Sequence, residues 1–483
     1  MSTRVMVFAA YFALVFAIGW LSLKRTQSEA DYWIAGGKLG WLVGGATIAA
    51  THVSAGTFIG TIGVIYTVGW SFTWLVLSIP LAYWFLAAVL APRFTRVRQL
   101  TLPAFIERRY YSKRVRGLAA VIILIATVVY VQAQIVAGGL IAHTIFGIPT
   151  SWGMIGFTAI LLLYTVVGGM VAVVYTDFLQ LLIMAAGVLF AVPLALRQVG
   201  GTAALFELVE AARPTVFTWE GLPPALLFTM GLSFLLGSVA TPERLVRLFA
   251  MRDMVQVRRG ILFAILMSTG INLLVFILAL ASIVLFPRLS TGDLAMPMVA
   301  SAVLPPVMGT VLLAAIVSAM MSTVDSLLIV AGSALSVDLY QNLVAPDGSV
   351  ARRRWVDRIG ILVVGTLPVV LVLAGVGEGE LVQFIVLLFT ALMAACFFMP
   401  VVGGVLWRRA TREGATAAML GGLITTLGWK AWGPGTLDPV LPGFLVSAVL
   451  LVTVSLLTPP PPASAWEPYF RTGAGTPDES ALG

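Results

Sequence analysis

The chain has 483 residues, 60% of them hydrophobic and only 10% charged, and a mean hydropathy of +1.01. That is the composition of a polytopic membrane protein, and it leaves no room for a soluble catalytic domain. The single cysteine, Cys396, excludes a disulfide framework, and with only two histidines there is no Cys/His zinc site.

In chain order, Val5 to Leu23 is long enough to span a bilayer and is followed by Lys24 and Arg25, as expected of a retained first transmembrane helix rather than a cleaved leader. Apolar runs of about twenty residues predict thirteen helices in all. Their spans are 5–23, 41–68, 71–92, 115–145, 151–171, 173–198, 224–240, 258–286, 306–336, 357–377, 381–407, 415–432 and 440–458. The second is punctuated by Gly44, Gly45, Gly56, Gly60 and Gly63, with the small polar stretch THVSAGT at 51–57 in its middle. Such a helix is expected to break, freeing carbonyls around Ala50 and Val53, which a membrane tolerates only beside a cavity or inside protein. The seventh, with Gly231 and Gly237 before Pro242, looks interrupted too. Broken helices at matching places in two halves point to a secondary transporter built from inverted repeats, with its site near the midplane. The division that follows is 1–40 for the first helix and its loop, 41–200 and 201–410 for the repeats, 411–458 for two added helices, and 459–483 for a Pro-rich disordered tail.

The ninth helix carries the polar cluster AAIVSAMMSTVDS at 314–326. Ala319, Ser322, Thr323 and Ser326 fall at i, i+3, i+4 and i+7, one face of a helix that could ligate a small hard cation. The same hydroxyls could instead bond back to their own carbonyls. Asp325 needs a partner, a proton or a role, because a carboxylate near the bilayer centre costs about 2.5–3.5 kcal/mol on insertion scales. Placing the N-terminus outside and the C-terminus in the cytoplasm puts twenty-four Lys and Arg inside against five outside, which the positive-inside rule favours. The inside set includes eight from Arg93 to Arg116 and five from Arg244 to Arg259; outside are Arg4, Arg197, Arg213, Arg288 and Lys430. The net charge of +8 is therefore topological and calls for no nucleic-acid partner.

Five blocks carry a resemblance: DYWIAGGKLG at 31–40, SAGTFIGTIG at 54–63, LLYTVVGGMVAVVYTDFLQ at 162–180, AAIVSAMMSTVDSLL at 314–328 and PVVGGVLWRRATREGA at 400–415. In this order they resemble the sodium:solute symporter family, whose members include proline, pantothenate, sialic acid and sodium/galactose carriers. The resemblance implies an all-α fold of about thirteen transmembrane helices around a leucine-transporter-type core of two inverted five-helix repeats. It implies a sodium site made by the carbonyls of Ala50, Val53 and Ala319 and the hydroxyls of Ser322 and Thr323. Asp177 matches a position that some relatives use for a second sodium or for coupling, although near a helix end it could simply reach water. Ser326 fits the second-sodium pattern, whereas Asp325 replaces a hydroxyl there and could neutralise a cation or carry a proton.

The substrate of such carriers sits beside the broken second helix. This implicates His52, Ser54, Gly56 and Thr57, with Phe234 and Ser238 on the seventh helix. His52 could bond a carboxylate or amide, or merely satisfy a freed carbonyl. Gly56 and Thr57 stand where sugar carriers have an acidic residue and a glutamine, which argues for a small organic anion, amino acid or pantothenate-like solute. The expected activity is sodium-coupled symport across the inner cell membrane by a monomer, not an enzymatic reaction. The alternatives are a proton-coupled symporter using Asp325, Asp177 or His52, and a transporter-like sensor.

Overall fold

The computed structural model describes residues 3–23, 28–377 and 379–470. Lys24, Arg25, Arg471 and the remainder of the tail lie outside the described residues. Among those described there is no strand, only an isolated bridge between Leu39 and Met251.

The principal helices, joined in places by short connecting helices such as Glu29–Ile34, Leu102–Tyr110 and Thr202–Ala212, are α1 (Thr3–Leu23), α2 (Trp41–His52), α3 (Gly56–Val68), α4 (Trp70–Phe94), α5 (Lys113–Phe146), α6 (Thr150–Leu163) and α7 (Gly169–Gln198). There follow α8 (Pro224–Ala240), α9 (Pro242–Ala250), α10 (Met254–Leu285), α11 (Pro306–Val344) and α12 (Ala351–Leu373). The chain continues with α13 (Val382–Leu406), α14 (Arg412–Trp432), α15 (Val440–Leu457) and α16 (Ala463–Phe470). Every predicted helix has a counterpart. By length and apolarity ten spans cross a membrane, or eleven with α2–α3 counted as one bent span; α6 is shorter, and α14 does not reach the same apolarity. The division between α6 and α7 falls at Gly169, whose φ of 63° and ψ of −179° turn the chain where a side chain would meet the Tyr32 ring.

Burial separates core from periphery. The apolar windows of α11 and α13 are each 83% buried, those of α1 and α15 only 28%. A helix that is apolar all round must face protein or lipid, and α11 and α13 face protein. α11 packs along α6 and α7, α2 along α10, and the added pair α14 and α15 on each other and on α13. Close approach depends on glycine: a Cβ on Gly45 would lie 2.5 Å from the Gly260 carbonyl oxygen. Polar caps fix several helix starts, Ser112 for α5, Asp253 for α10 and Thr411 for α14.

Two expectations change. The tail is ordered through Phe470: Tyr469 is buried edge-on to Phe105, and Arg408 lies 4.9 Å from the Trp466 ring and 5.2 Å from Phe470. Aromatic burial and cation–π contact outweigh the disorder suggested by the prolines. Further, several of the basic residues assigned to cytoplasmic loops are buried. Arg109 donates to the carbonyls of Gly404, Trp407 and Ala410, closing the end of α13. Arg244 and Arg247 belong to α9, inside the protein.

Candidate cation and solute site

The first of each set of five core helices is broken. α2 ends at His52, Val53 turns away with ψ 100°, and α3 sets off at 50° to α2. The gap is tied down locally: Ser54 Oγ accepts from the Gly56 amide at 3.0 Å, and Gln134 Oε1 of α5 accepts from the Ala55 amide at 3.0 Å. Gln134 thus serves the break itself. The second break falls at Thr241, with ψ 128°, between α8 and α9; Pro242 opens α9, where its missing amide hydrogen costs nothing.

Across from the α2 end lies the hydroxyl face of α11. Ser322 Oγ donates to the Ala50 carbonyl at 2.9 Å and Thr323 Oγ1 to the Thr51 carbonyl at 3.2 Å. Both also bond back to Ala319, at 3.2 and 3.0 Å. The two sequence readings of these hydroxyls therefore hold together: they back-bond within α11 and reach freed carbonyls of α2. Ala50, Ala319, Ser322 and Thr323 form one oxygen cluster, and Val53 ends the same unwound turn. The donors are neutral oxygens. Such a set suits a hard monovalent cation, and among the described residues no group of three His, Cys, Asp or Glu exists to hold a transition metal.

Of the second predicted set, Asp177 and Ser326 converge on one nitrogen of Arg247, while Asp325 turns away from them. Asp177 is fully buried rather than solvated, and it pairs with Arg247 Nη2 at 3.1 Å and with Thr47 Oγ1. Arg247 also donates to Ser326 Oγ at 2.5 Å, to Thr47 Oγ1 at 2.8 Å and to the Glu243 carbonyl at 2.6 Å. A guanidinium thus lies between Asp177 and Ser326. Asp325 points elsewhere, accepting from Thr165 Oγ1 at 2.5 Å. The reason is helical: consecutive residues stand about 100° apart, so 325 and 326 meet different neighbours.

Beside the break is a cavity with about 30 Å³ of free space, lined by His52, Ser54, Gly56, Thr57 and Phe234 of the predicted solute set. Ser238 does not line it; its carbonyl instead accepts from Arg244 Nη1 at 3.2 Å. His52 does not satisfy a freed carbonyl: its Nδ1 accepts from Arg244 Nη2 at 3.0 Å, which places the ring proton on Nε2. Tyr130, Asn272, Gln383, Phe389 and Arg244 are among the further polar and aromatic residues of the wall. Sequence reading missed Arg244 and Arg247. Their signal was present, two arginines three residues apart directly after the Pro242 break, but the pattern was assigned to a loop.

A profile of the sodium:solute symporter family matches residues 32–422. The chain belongs to the sodium:solute symporter family. The symporter is 27% identical to the osmoregulated proline transporter of Bacillus subtilis over 472 residues, covering 94% of this chain and 95% of that protein. It is 28% identical to the sodium/pantothenate symporter of Escherichia coli over 457 residues, covering 91% and 93% of the two chains. A solved structure of a substrate-bound, outward-open Na+-coupled sialic acid symporter superposes with a TM-score of 0.82 at 20% identity, covering 95% of this chain and 99% of that one. The fold expected from the sequence, a leucine-transporter-type core with added helices, is the fold observed. Membership makes the chain a multi-pass membrane transporter that couples sodium to a small solute.

Proposed function

We propose that sodium binds between the α2–α3 break and α11, held by the carbonyls of Ala50, Val53 and Ala319 and the hydroxyls of Ser322 and Thr323, and drives uptake of a small organic solute. The observation that carries this reading is the pair of hydroxyls bridging to Ala50 and Thr51. A cation there replaces proton bridges by ion–oxygen contacts without new backbone structure. His52 and Ser54 follow Ala50 within one turn and line the solute cavity, so the same unwound segment serves both ligands. The two affinities are then linked and each ligand tightens the other by the same factor. One sodium moving down about 100 mV contributes roughly 2.3 kcal/mol before its concentration gradient is counted.

The Arg247 guanidinium stands where a second cation would have to pair with Asp177 and Ser326, and Asp325 faces away, so this reading assigns one coupling sodium. With Arg244 and Arg247 removed from the loop count, the charge asymmetry becomes twenty-two against five and still favours a cytoplasmic C-terminus in the cell membrane. One chain holds both sites, so a monomer suffices. The proline and pantothenate carriers among its relatives make these two compounds the first probes. In proteoliposomes with sodium outside and potassium inside, uptake is expected only with the sodium gradient, and it should stop when an ionophore collapses that gradient. Equal uptake driven by a proton gradient without sodium would overturn the assignment.

A further inference from the structure

Two arginines lie inside α9, and their surroundings differ. Arg247 is neutralised by Asp177. Arg244 is equally enclosed, at 3% exposure, yet among the described residues no carboxylate comes within ion-pairing distance of it. Its Nη1 and Nη2 each give one of their two hydrogens, to the Ser238 carbonyl and His52 Nδ1, its Cζ lies 5.8 Å from the Tyr83 ring centroid, and its buried Nε has no partner, so donors remain for a fork. The adjacent Glu243 is buried as well, with both carboxylate oxygens unpartnered, but it makes no salt bridge to Arg244 and does not line the cavity, while Arg244 does.

A guanidinium held inside a membrane protein without a direct ion pair is costly, since its N–H donors are neither hydrated nor matched by carboxylate oxygens. The cost is offset when an anion arrives, and three features favour that event at this wall. The positive N-terminal end of α9 carries Arg244 in its first turn. His52 presents lone-pair density to Arg244 and its Nε2 proton elsewhere, so it steadies the fork without competing for the anion. The remaining wall is aromatic and aliphatic with a few hydroxyls and amides and no carboxylate, and the buried Gln383 Oε1 is also unpartnered. Resting on the reading of this cavity as the solute site, we propose that Arg244 is the anchor for a carboxylate on the transported solute, so that the symporter selects small organic acids, zwitterionic ones included, over neutral analogues. Gln383 then accepts from an amino or hydroxyl group on the same solute.

The test uses matched pairs on the purified full-length protein in sodium: L-proline with L-prolinamide, L-lactate with L-lactamide, and pantothenate with panthenol. At least one acid is expected to bind, with its uncharged or amide partner weaker by on the order of a hundredfold, the size of a lost charge-assisted fork. Arg244→Gln should bring that acid and its partner to within a few-fold of each other, with Arg244→Lys intermediate because it keeps the charge and loses the fork. Sodium titration of each variant reports whether the fold and the ion site survive. The proposal is overturned if no acid binds, if partners bind as tightly as acids, or if Arg244→Gln with intact sodium binding leaves the ratio unchanged. The wild-type comparison needs no variant and decides the question even where a variant misfolds. Acid binding that is indifferent to sodium would count against the coupling reading while leaving the carboxylate anchor standing.

Discussion

Ser322→Ala removes one of five proposed sodium ligands, and the structure sets the size of the effect. In the loaded site the hydroxyl oxygen makes an ion–dipole contact comparable to a hydrogen bond to a charged group, about 1.5–3 kcal/mol. In the sodium-free protein the same hydroxyl donates to Ala50 at 2.9 Å and shares itself with Ala319 at 3.2 Å. That arrangement is worth about 0.5–1.5 kcal/mol net and is also lost. The difference, about 1–2 kcal/mol, predicts a fivefold to thirtyfold rise in the sodium Kd. Thr323→Ala should behave alike, and Thr323→Ser, which keeps the oxygen, should stay close to wild type. Calorimetric titration of sodium into purified protein held in choline chloride measures all three. An unchanged Kd in both alanine variants would refute the site, because no rearrangement of α2 and α11 restores two lost oxygens at once.

Asp177→Asn keeps the shape but strips Arg247 of its counter-ion, so the thermal unfolding temperature should drop sharply, reflecting about 3–5 kcal/mol for an unpaired buried charge. Adding Arg247→Gln should recover part of the loss, and a single variant as stable as wild type would show that the pair holds nothing together. Asp438, in the connection between α14 and α15, has its carboxyl pushed up to about 7 by burial. The folded protein therefore binds a proton more tightly than the unfolded chain, and stability should fall as pH rises from about 4 to 7 and then level off. Asp438→Asn, which still accepts from the Val440 amide, should flatten that part of the melting profile. Gly45→Ala drives a methyl to 2.5 Å from the Gly260 carbonyl and should lower stability by about 1–3 kcal/mol, read as earlier aggregation on heating.

Helix positions were legible because hydrocarbon length leaves little freedom: an apolar run bounded by arginines either spans or does not exist. The break in α2 was legible for a related reason, since five glycines and THVSAGT lower helix stability where nothing else repays it. What sequence could not show is which way a side chain turns once the backbone breaks. Arg244 and Arg247 read as the start of a basic loop because a one-dimensional count cannot distinguish a helix half folded inward from a loop. Asp325 and Ser326 are placed together by the resemblance to the second-sodium pattern, although helical geometry sends them to different neighbours. Tail residues 463–470 read as disordered from their prolines, whereas Tyr469 and Trp466 find partners on distant elements.

Asp325 separates sodium coupling from its proton-coupled rival. A proton carrier must exchange with water on one side and later the other, and its charge must be felt by the element that moves. Asp325 meets neither the broken turn of α2 nor Arg247; its recorded partner is Thr165, in the helical stretch leading into α7, and its second oxygen is buried without one. That is the setting of a residue joining two packed helices. Asp325→Asn retains an acceptor for Thr165 and removes the ionisable group. If sodium drives transport, the variant should still accumulate solute against a gradient, with a sodium Kd within about threefold of wild type, because the Ser322 and Thr323 oxygens are untouched. If Asp325 carries a coupled proton, the variant should retain solute exchange across equilibrated membranes yet lose accumulation. Comparing counterflow with gradient-driven uptake in the same proteoliposomes distinguishes the two, and loss of accumulation alone would transfer the coupling role from Ser322 and Thr323 to the neighbouring carboxylate.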